Sequence, residues 1–254
     1  MDKPLPAPIV TVISMVGLGL GWVLLAWAKA DPTVLPQPWE VFAIALGEAR
    51  SGELWLHLSA TLARVAAAFV VAMAVGTALG LWLGRSEGAN RWADPWVIVF
   101  LNLPALMIIV LCYLWIGLTE VAAITAVAIN KTAMVLVTVR EGVRALDRPL
   151  DEMAQVYRLS RWERLRHVVV PQLAPHLSTA ARNGVAVIWK IVLVVEFLGR
   201  SNGIGFQIHL YFQLFETGYV LAYALTFVGV MLAVEYALLQ PAEARAARWR
   251  RAAA

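Results

Sequence analysis

Apolar residues in this chain are grouped into long runs separated by charged segments. Residues 9–28 carry no charged side chain, and residues 65–84 form a second uncharged run. A helix needs about 20 apolar residues to cross the hydrocarbon core of a bilayer, so each run is long enough to span a membrane. The pattern predicts an all-α, polytopic membrane protein with one transmembrane domain over residues 1–254. Its six spans are expected at about residues 9–28, 62–84, 96–118, 121–139, 176–197 and 217–240.

Composition narrows the class of protein further. The chain is 61% hydrophobic and 15% charged, with a mean hydropathy of +0.71, whereas soluble domains are about 25% charged. A single cysteine, Cys112, excludes a disulfide framework or a cysteine metal site. The four histidines lack metal-ligand spacing. No Gly-x-x-x-x-Gly-Lys-Ser/Thr motif is present, so any nucleotide would be bound by another chain. The net charge of +4 does not indicate a nucleic-acid partner.

The first segment of the chain has two possible interpretations. Ala28-Lys29-Ala30 resembles a signal-peptide cleavage site, but the apolar run before it is longer than the roughly 7–15 residues of a signal core. We therefore expect an uncleaved first span. After Pro36 and Pro38, residues 39–50 predict a short amphipathic helix at the membrane interface.

Two features inside the predicted spans indicate close packing and a break. Gly76, Gly80 and Gly84 recur every fourth residue, which places them on one helix face that another helix can approach closely. The third span is interrupted by Asn102-Leu103-Pro104. A proline here frees a backbone carbonyl that neighbouring helices or water must satisfy. The sequence leaves open whether this is an ordinary kink or a bend that lines a pathway.

The longest charged segment covers residues 142–175, between the fourth and fifth predicted spans. Two helix starts are predicted inside it. Asp147 can cap the first helix, with Pro149 in its opening turn. Ser160 can cap the second, because Glu163 completes a Ser-x-x-Glu capping box. The segment therefore predicts two short charged helices in water.

The end of this segment carries two prolines. Pro171 and Pro175 are expected to stop the second helix and start the next element. On composition alone the whole segment could also be a solvated loop whose arginines anchor the neighbouring spans to a membrane face.

Within this segment, Glu152-Met153-Ala154, then Ser160, then the residues Val168 to Pro171 resemble the EAA loop of bacterial ABC-importer permeases. That loop reads roughly E-A-A, three residues, G-A-S and then V-x-L-P. Arg158 stands where the family has a glycine, which normally supplies a free backbone conformation between two helices. The resemblance covers about residues 35–205 and is closest to nitrate/sulfonate/taurine-type permeases. Other matching positions are Asp94-Pro95, Leu103-Pro104, Leu114-Trp115-Ile116-Gly117, residues 142–147, Trp189 and Glu196.

The resemblance implies the transmembrane permease subunit of an ATP-driven, binding-protein-dependent ABC importer. Its substrate would be a small anion such as a sulfonate, nitrate or a carboxylate. Two copies of the chain would surround a central pathway, and a periplasmic substrate-binding protein would deliver the substrate. Two cytoplasmic ATPases would hold ATP and Mg²⁺, so the chain itself would be no enzyme and would hold no cofactor or metal.

The resemblance also implies roles for individual residues. The charged segment would form coupling helices that sit in a cleft of the ATPase, and the candidate coupling residues are Asp147, Glu152, Ala154, Ser160, Glu163 and Pro171. The candidate residues of the translocation pathway are Asn102, Pro104, Lys131, Trp189, Lys190 and Glu196.

Orientation follows from the positive charges. If the charged segment is cytoplasmic, six spans place both termini in the cytoplasm. Most arginines then lie inside, and only Lys29, Arg50, Arg200 and the borderline Arg64 lie outside. This distribution agrees with the positive-inside rule. It predicts a protein of the bacterial inner membrane whose charged segment faces the ATP-containing side.

The alternative from another class is an ion-coupled secondary transporter. Charged residues within the predicted spans favour it, since such groups often mark ion routes; they are Lys131, Lys190, Glu196 and Glu235. Against it, the two halves of the chain show no repeat.

The two lysines within spans have roles that the sequence leaves open. Lys131 either contacts an anionic substrate or makes a structural contact to a glutamate or to helix carbonyls. Lys190 lies nearer Glu196 along the chain, so it is the better candidate for a purely structural pair.

Overall fold

The computed structural model describes residues 7–241, so Lys3 and the basic segment 242–254 lie outside the described residues. All regular structure within 7–241 is helical, which confirms the all-α prediction for this part of the chain. Two π-helical turns, Leu165–Val169 and Glu235–Leu239, each continue the α-helix that precedes them. The α-helices are α1 (Ala7–Lys29), α2 (Pro38–Ser51), α3 (Glu53–Arg85), α4 (Glu87–Asn102), α5 (Ala105–Ile116), α6 (Glu120–Arg144), α7 (Arg148–Val156), α8 (Arg161–Arg164), α9 (Val170–Gly199), α10 (Ile204–Gln213) and α11 (Thr217–Val234).

Three described helical segments are long and apolar enough to cross a membrane. They are α3, α6 and Thr217–Ala237, which contains α11. The pair α4 and α5 adds a fourth crossing if it forms one broken span. By length and composition the described helices therefore give three or four crossings, and the prediction of six is not confirmed.

The single span predicted over residues 96–118 is instead two helices that meet at 98°. Pro104 lacks an amide hydrogen and restricts the residue before it to an extended conformation. Leu103 accordingly has φ −68° and ψ 126°, which ends α4 at Asn102. At the far end of α5, Gly117 has φ +84° and permits the tight turn into α6. The predicted interruption is thus a sharp bend rather than a kink.

The glycine face of α3 packs directly against α6. A Cβ atom built on Gly76 would lie 2.6 Å from Cβ of Val135, and one on Gly80 would lie 2.7 Å from Cβ of Val139. Gly84 meets Val143 in the same way, at 2.6 Å. The predicted close approach is therefore confirmed, and its partner is another helix of the same chain. This glycine face is consequently not free to contact a second copy.

The helix that follows the charged segment runs on without a stop. α8, its π turn and α9 are consecutive from Arg161 to Gly199, so the prediction that Pro171 and Pro175 end the second helix is wrong. The amide of Val170 bonds to the carbonyl of Leu165, five residues back, and this extra residue widens the helix just before Pro171.

The turn between α7 and α8 shows how the chain accommodates Arg158. The amide of Leu159 bonds to the carbonyl of Ala154, and that of Arg158 to Gln155. These two bonds form a Schellman motif, in which the residue after the helix cap adopts the left-handed conformation and is usually glycine. Arg158 occupies that position with φ +50°. An arginine therefore adopts the backbone conformation that the family's glycine would supply.

The remaining helices surround the centre of the bundle. The helix predicted at 39–50 is present as α2, which packs against α11 and α3. Segment 206–215 lies mostly within α10, which packs against α9 and α11. The largest buried apolar cluster lies where α3, α5, α6 and α9 meet, and it includes Ile109, Val127 and Ile188.

Gly80→Ala should destabilise the protein through the contact between α3 and α6. The added methyl would lie 2.7 Å from Cβ of Val139 and 2.8 Å from the carbonyl oxygen of Leu136, and overpacking of this kind costs about 1–3 kcal/mol. Gly229→Ala is the control, because nothing lies within 4 Å of its Cβ position. Thermal unfolding of the purified protein in detergent measures both. Equal melting temperatures for the two variants would contradict the close contact.

Arg158→Gly should stabilise the turn after α7. The left-handed conformation costs a residue with a side chain about 1–2 kcal/mol, and glycine avoids this cost. Arg161→Gly is the matched control, because Arg161 is helical and glycine there should destabilise α8. Hydrogen exchange of the α7 and α8 amides reads out both changes. Faster exchange in both variants would show that Arg158 carries no conformational cost.

Candidate functional site

A cluster of charges, buried at Arg64 and Glu196 and about half exposed at Glu120, joins α3, α6 and α9 at one end of the bundle. Arg64 on α3 bonds to Glu196 on α9 at 2.7 Å and to Glu120 on α6 at 2.6 Å. Arg200 also binds Glu120, at 2.6 Å. Glu196 is completely buried and the Arg64 side chain is 5% exposed. These four residues are called the Arg64 cluster below, and they attach three helices to one another through charge-assisted hydrogen bonds.

The second carboxylate oxygen of Glu196 is also fully bonded. It accepts the hydroxyl hydrogen of Thr61 and the amide of Gly205, both at 2.9 Å. Arg64 also donates to the carbonyl of Asn202 at 2.9 Å. The cluster therefore holds the loop between α9 and α10 as well. These hydrogen bonds to Arg64 and Glu196 offset part of the cost of removing their two charges from water.

The partner expected for Glu196 was Lys190, and that expectation is wrong. The two residues are six positions apart on α9, so at about 100° per residue they point to different faces of the helix. Arg64 takes the carboxylate instead. Sequence reasoning missed Arg64 and Glu120 as partners. The sequence did offer a signal. In the predicted six-span topology, Arg64, Glu120 and Glu196 all stand near the non-cytoplasmic ends of their spans, so they are expected at a similar depth.

Lys131 is buried between α6 and α9, with 1% of its surface exposed. Its Nζ lies 3.2 Å from the carbonyl oxygen of Asn183 and 2.7 Å from the sulfur of Met134. Its Cε packs toward Gly184. This geometry corresponds to the structural alternative, in which the lysine is hydrogen-bonded to a helix carbonyl.

Lys190 has the opposite environment, because its side chain is exposed on the surface of α9. Trp189, the next residue, is buried and packs edge-to-face against Phe227 with ring centroids 5.3 Å apart. The other two pathway candidates, Asn102 and Pro104, are exposed at the bend between α4 and α5. The Asn102 amide donates to the carbonyl of Ile98 on its own helix, at 2.8 Å. The structure does not bring these six pathway candidates together into one site.

The charged segment between α6 and α9 contains one separate short helix, α7, and then the start of the continuous helix that includes α8 and α9. The Glu163 carboxylate accepts the amide of Ser160 at 2.8 Å, and the Ser160 hydroxyl accepts the amide of Glu163 at 3.3 Å, which confirms the capping box. These hydrogen bonds hold the pKa of Glu163 below its ordinary value. Asp147 precedes α7, but its side chain makes no capping bond. Its amide instead donates to the side chain of Gln172, at 2.9 Å.

An apolar surface is exposed on this segment. Ala154 is buried and Glu152 is exposed on α7. The exposed apolar residues recur at nearly helical spacing and continue into the turn and α8; they are Leu150, Met153, Val156, Tyr157 and Trp162, the last three more than two-thirds exposed. Apolar side chains on a charged helix pair are suited to insertion into the groove of a partner.

Arg64→Met should destabilise the protein by about 3–5 kcal/mol, because it leaves the buried Glu196 carboxylate without its cation. The double variant Arg64→Met/Glu196→Met should lose less than the sum of the two single changes. Arg144→Met is the control: its pair with Glu141 is about half exposed and should contribute under about 1 kcal/mol. Thermal unfolding in detergent measures the cycle. Strict additivity of the two single changes would show that the pair is not coupled.

Comparisons with known proteins agree with the resemblance. A family model described as "Binding-protein-dependent transport system inner membrane component" matches residues 76–240. The putative aliphatic sulfonates transport permease protein SsuC of Escherichia coli K12 is 34% identical over 202 residues, which cover 80% of this chain and 74% of the relative. The taurine transport system permease protein TauC of the same organism is 25% identical over 210 residues, or 81% and 76% of the two chains.

The fold is similar to that of a solved amino acid ABC transporter crystallised with histidines. The TM-score is 0.62 at 23% identity, and the match covers 79% of this chain and 97% of the other. These findings do not favour an ion-coupled secondary transporter. The chain belongs to the family of binding-protein-dependent transport system inner membrane components, and it is the membrane permease subunit of an ABC importer, not itself an enzyme.

Proposed function

We propose that two copies of this chain form the pathway by which a small organic sulfonate crosses the bacterial inner membrane. The observation that carries the importer mechanism is the apolar surface of α7 and α8, held by the capping box and the Schellman turn. The sulfonate follows from the relatives, which are named for aliphatic sulfonates and taurine. A sulfonate is an anion at any physiological pH, so a cation in the pathway would attract it.

The charged segment is the ATPase contact in this proposal. Leu150, Met153 and Trp162 would enter a cleft of the cytoplasmic ATPase, and Asp147, Glu152, Ala154, Ser160, Glu163 and Pro171 would shape the segment or border that contact. ATP and Mg²⁺ would be bound by the ATPase alone. Because α8, the π turn and α9 form one continuous helix, movement of the docked segment would be transmitted directly to α9.

The membrane arrangement is also part of the proposal. α9 contains 30 residues and packs along α6 and α3, which supports its crossing the membrane beside them. With α1 and the α4–α5 pair this gives six crossings, both termini in the cytoplasm and a substrate-binding protein on the periplasmic side. A second copy would complete the pathway.

The test is reconstitution of the chain with its ATPase and substrate-binding protein in proteoliposomes. Uptake of a labelled sulfonate should require ATP and should continue in the presence of ionophores that collapse ion gradients. Uptake that ionophores abolish, or that proceeds without ATP, would contradict the proposed mechanism.

Glu152→Arg should separate ATP hydrolysis from transport. It places a cation where the family has its acid, on an exposed surface of α7, so the fold should persist while uptake falls. Glu87→Arg is the matched control: this glutamate is exposed in the first turn of α4, outside the charged segment, and its loss should cost under about 1 kcal/mol. ATPase activity, uptake and co-purification of the ATPase are measured together. Unchanged uptake and co-purification for Glu152→Arg would remove the coupling role from this residue.

A further inference from the structure

One face of α9 differs from the exposed faces of α3 and α11 at membrane depth. It carries Thr179, Asn183 and Lys190, with Ala186 and Val194 between and beyond them, all exposed. These residues recur every three or four positions, so they form one continuous stripe. They are called the α9 polar face below. In contrast, every exposed residue between Ala63 and Trp82 of α3, and between Leu225 and Ala233 of α11, is apolar.

The depth of Lys190 can be read from the Arg64 cluster. Glu196 is bonded to Arg64, which directly precedes the uncharged residues 65–84 of α3. Those 20 residues span about 30 Å, and Lys190 lies six residues from Glu196, or about 9 Å inside this layer. An ammonium group facing lipid at that depth is unfavourable. Exposure of Lys190 in the single chain therefore indicates that its face meets water or a partner.

The other charges of the predicted fifth and sixth spans do not neutralise Lys190. Glu196 is bonded to Arg64, and Glu235 is paired with Arg182 at 3.3 Å. The cavity of about 400 Å³ between α3, α4 and α6 is lined by side chains such as Val75, Phe100 and Ile129, so it is unsuited to a charged solute. The α9 polar face is the surface among the described residues where an anion at this depth would find a cation.

We propose that the α9 polar face lines the translocation pathway and that Lys190 donates hydrogen bonds to the anionic group of the solute. Thr179 and Asn183 offer further polar contacts toward the charged segment, while Ala186 and Val194 leave room for an alkyl chain. Lys131 is buried rather than exposed on this face, and it holds α6 to α9 through the backbone carbonyl of Asn183. The assignment of the anion rests on the proposed function, whereas the exposure of the face to water does not.

Kinetics of uptake test the contact to the anion. Lys190→Met should raise the KM for sulfonate about tenfold, the size expected for one charge-assisted hydrogen bond, and Lys190→Arg should restore most of it. Lys131→Met is the matched control, since it removes a buried lysine from a neighbouring helix and should leave KM near the wild-type value. A KM that rises with Lys131→Met and not with Lys190→Met would overturn the assignment.

Labelling tests the α9 polar face independently of the solute. In a Cys112→Ala background, Lys190→Cys in the reconstituted complex should react with a membrane-impermeant thiol reagent, and sulfonate should slow the reaction. Val70→Cys is the depth-matched control, because Val70 is six residues from Arg64 and 63% exposed on the apolar face of α3. Equal reactivity at the two positions would overturn the pathway assignment. If the wild type takes up no sulfonate, the proposed substrate and the anion contact both fail, while labelling still decides whether the face is wet.

Discussion

The rest of the structure depends on the buried contact between Arg64 and Glu196. A guanidinium and a carboxylate with almost no exposure are stable inside an apolar bundle only if each finds all its hydrogen-bond partners. Here Thr61, Gly205 and Glu120 supply those partners from α3, α10 and α6 respectively. Because any rotation of α9 would break these bonds, the cluster fixes which face of α9 is buried and which is exposed. Because α9 is one rigid helix, this also sets which side chains are buried and which are exposed further along α9, far from the charged residues.

A second contact, between α3 and α6, fixes the position of these two helices relative to each other. The glycines of α3 let its backbone lie directly against Val135 and Val139 of α6, so α3 and α6 form a rigid pair on which α9 packs. Lys131 then falls between α6 and α9, whereas Lys190 falls on the open side of α9. Two lysines that look alike in the sequence thus acquire different roles. A cation on the open side is what a pathway for an anion requires, and α9 continues without a break into the segment that would contact the ATPase.

Much of this architecture could be predicted from local patterns. The glycine face and the Ser160 capping box each depend on residues close in sequence, and both are confirmed, whereas the described helices give three or four of the six predicted spans. The wrong predictions involve contacts between distant segments or backbone geometry. The pairing of Glu196 with Arg64 joins residues 132 positions apart, and a π turn lets the helix pass Pro171. Nothing in the residue types near Arg158 indicates that an arginine accepts φ +50°.

The most direct test is to measure which residues of α9 are accessible to water and whether that accessibility repeats with the period of the helix. Single cysteines from residue 179 to residue 198, in the Cys112→Ala background and in the assembled complex, would be labelled with a membrane-impermeant thiol reagent. The expected pattern repeats every 3.6 residues, with high labelling at Asn183, Ala186 and Lys190, and low labelling at the buried Ile188 and Val192. Labelling that peaks at Ile188 and Val192, or that is uniform along the helix, would contradict the orientation that the Arg64 cluster imposes on α9.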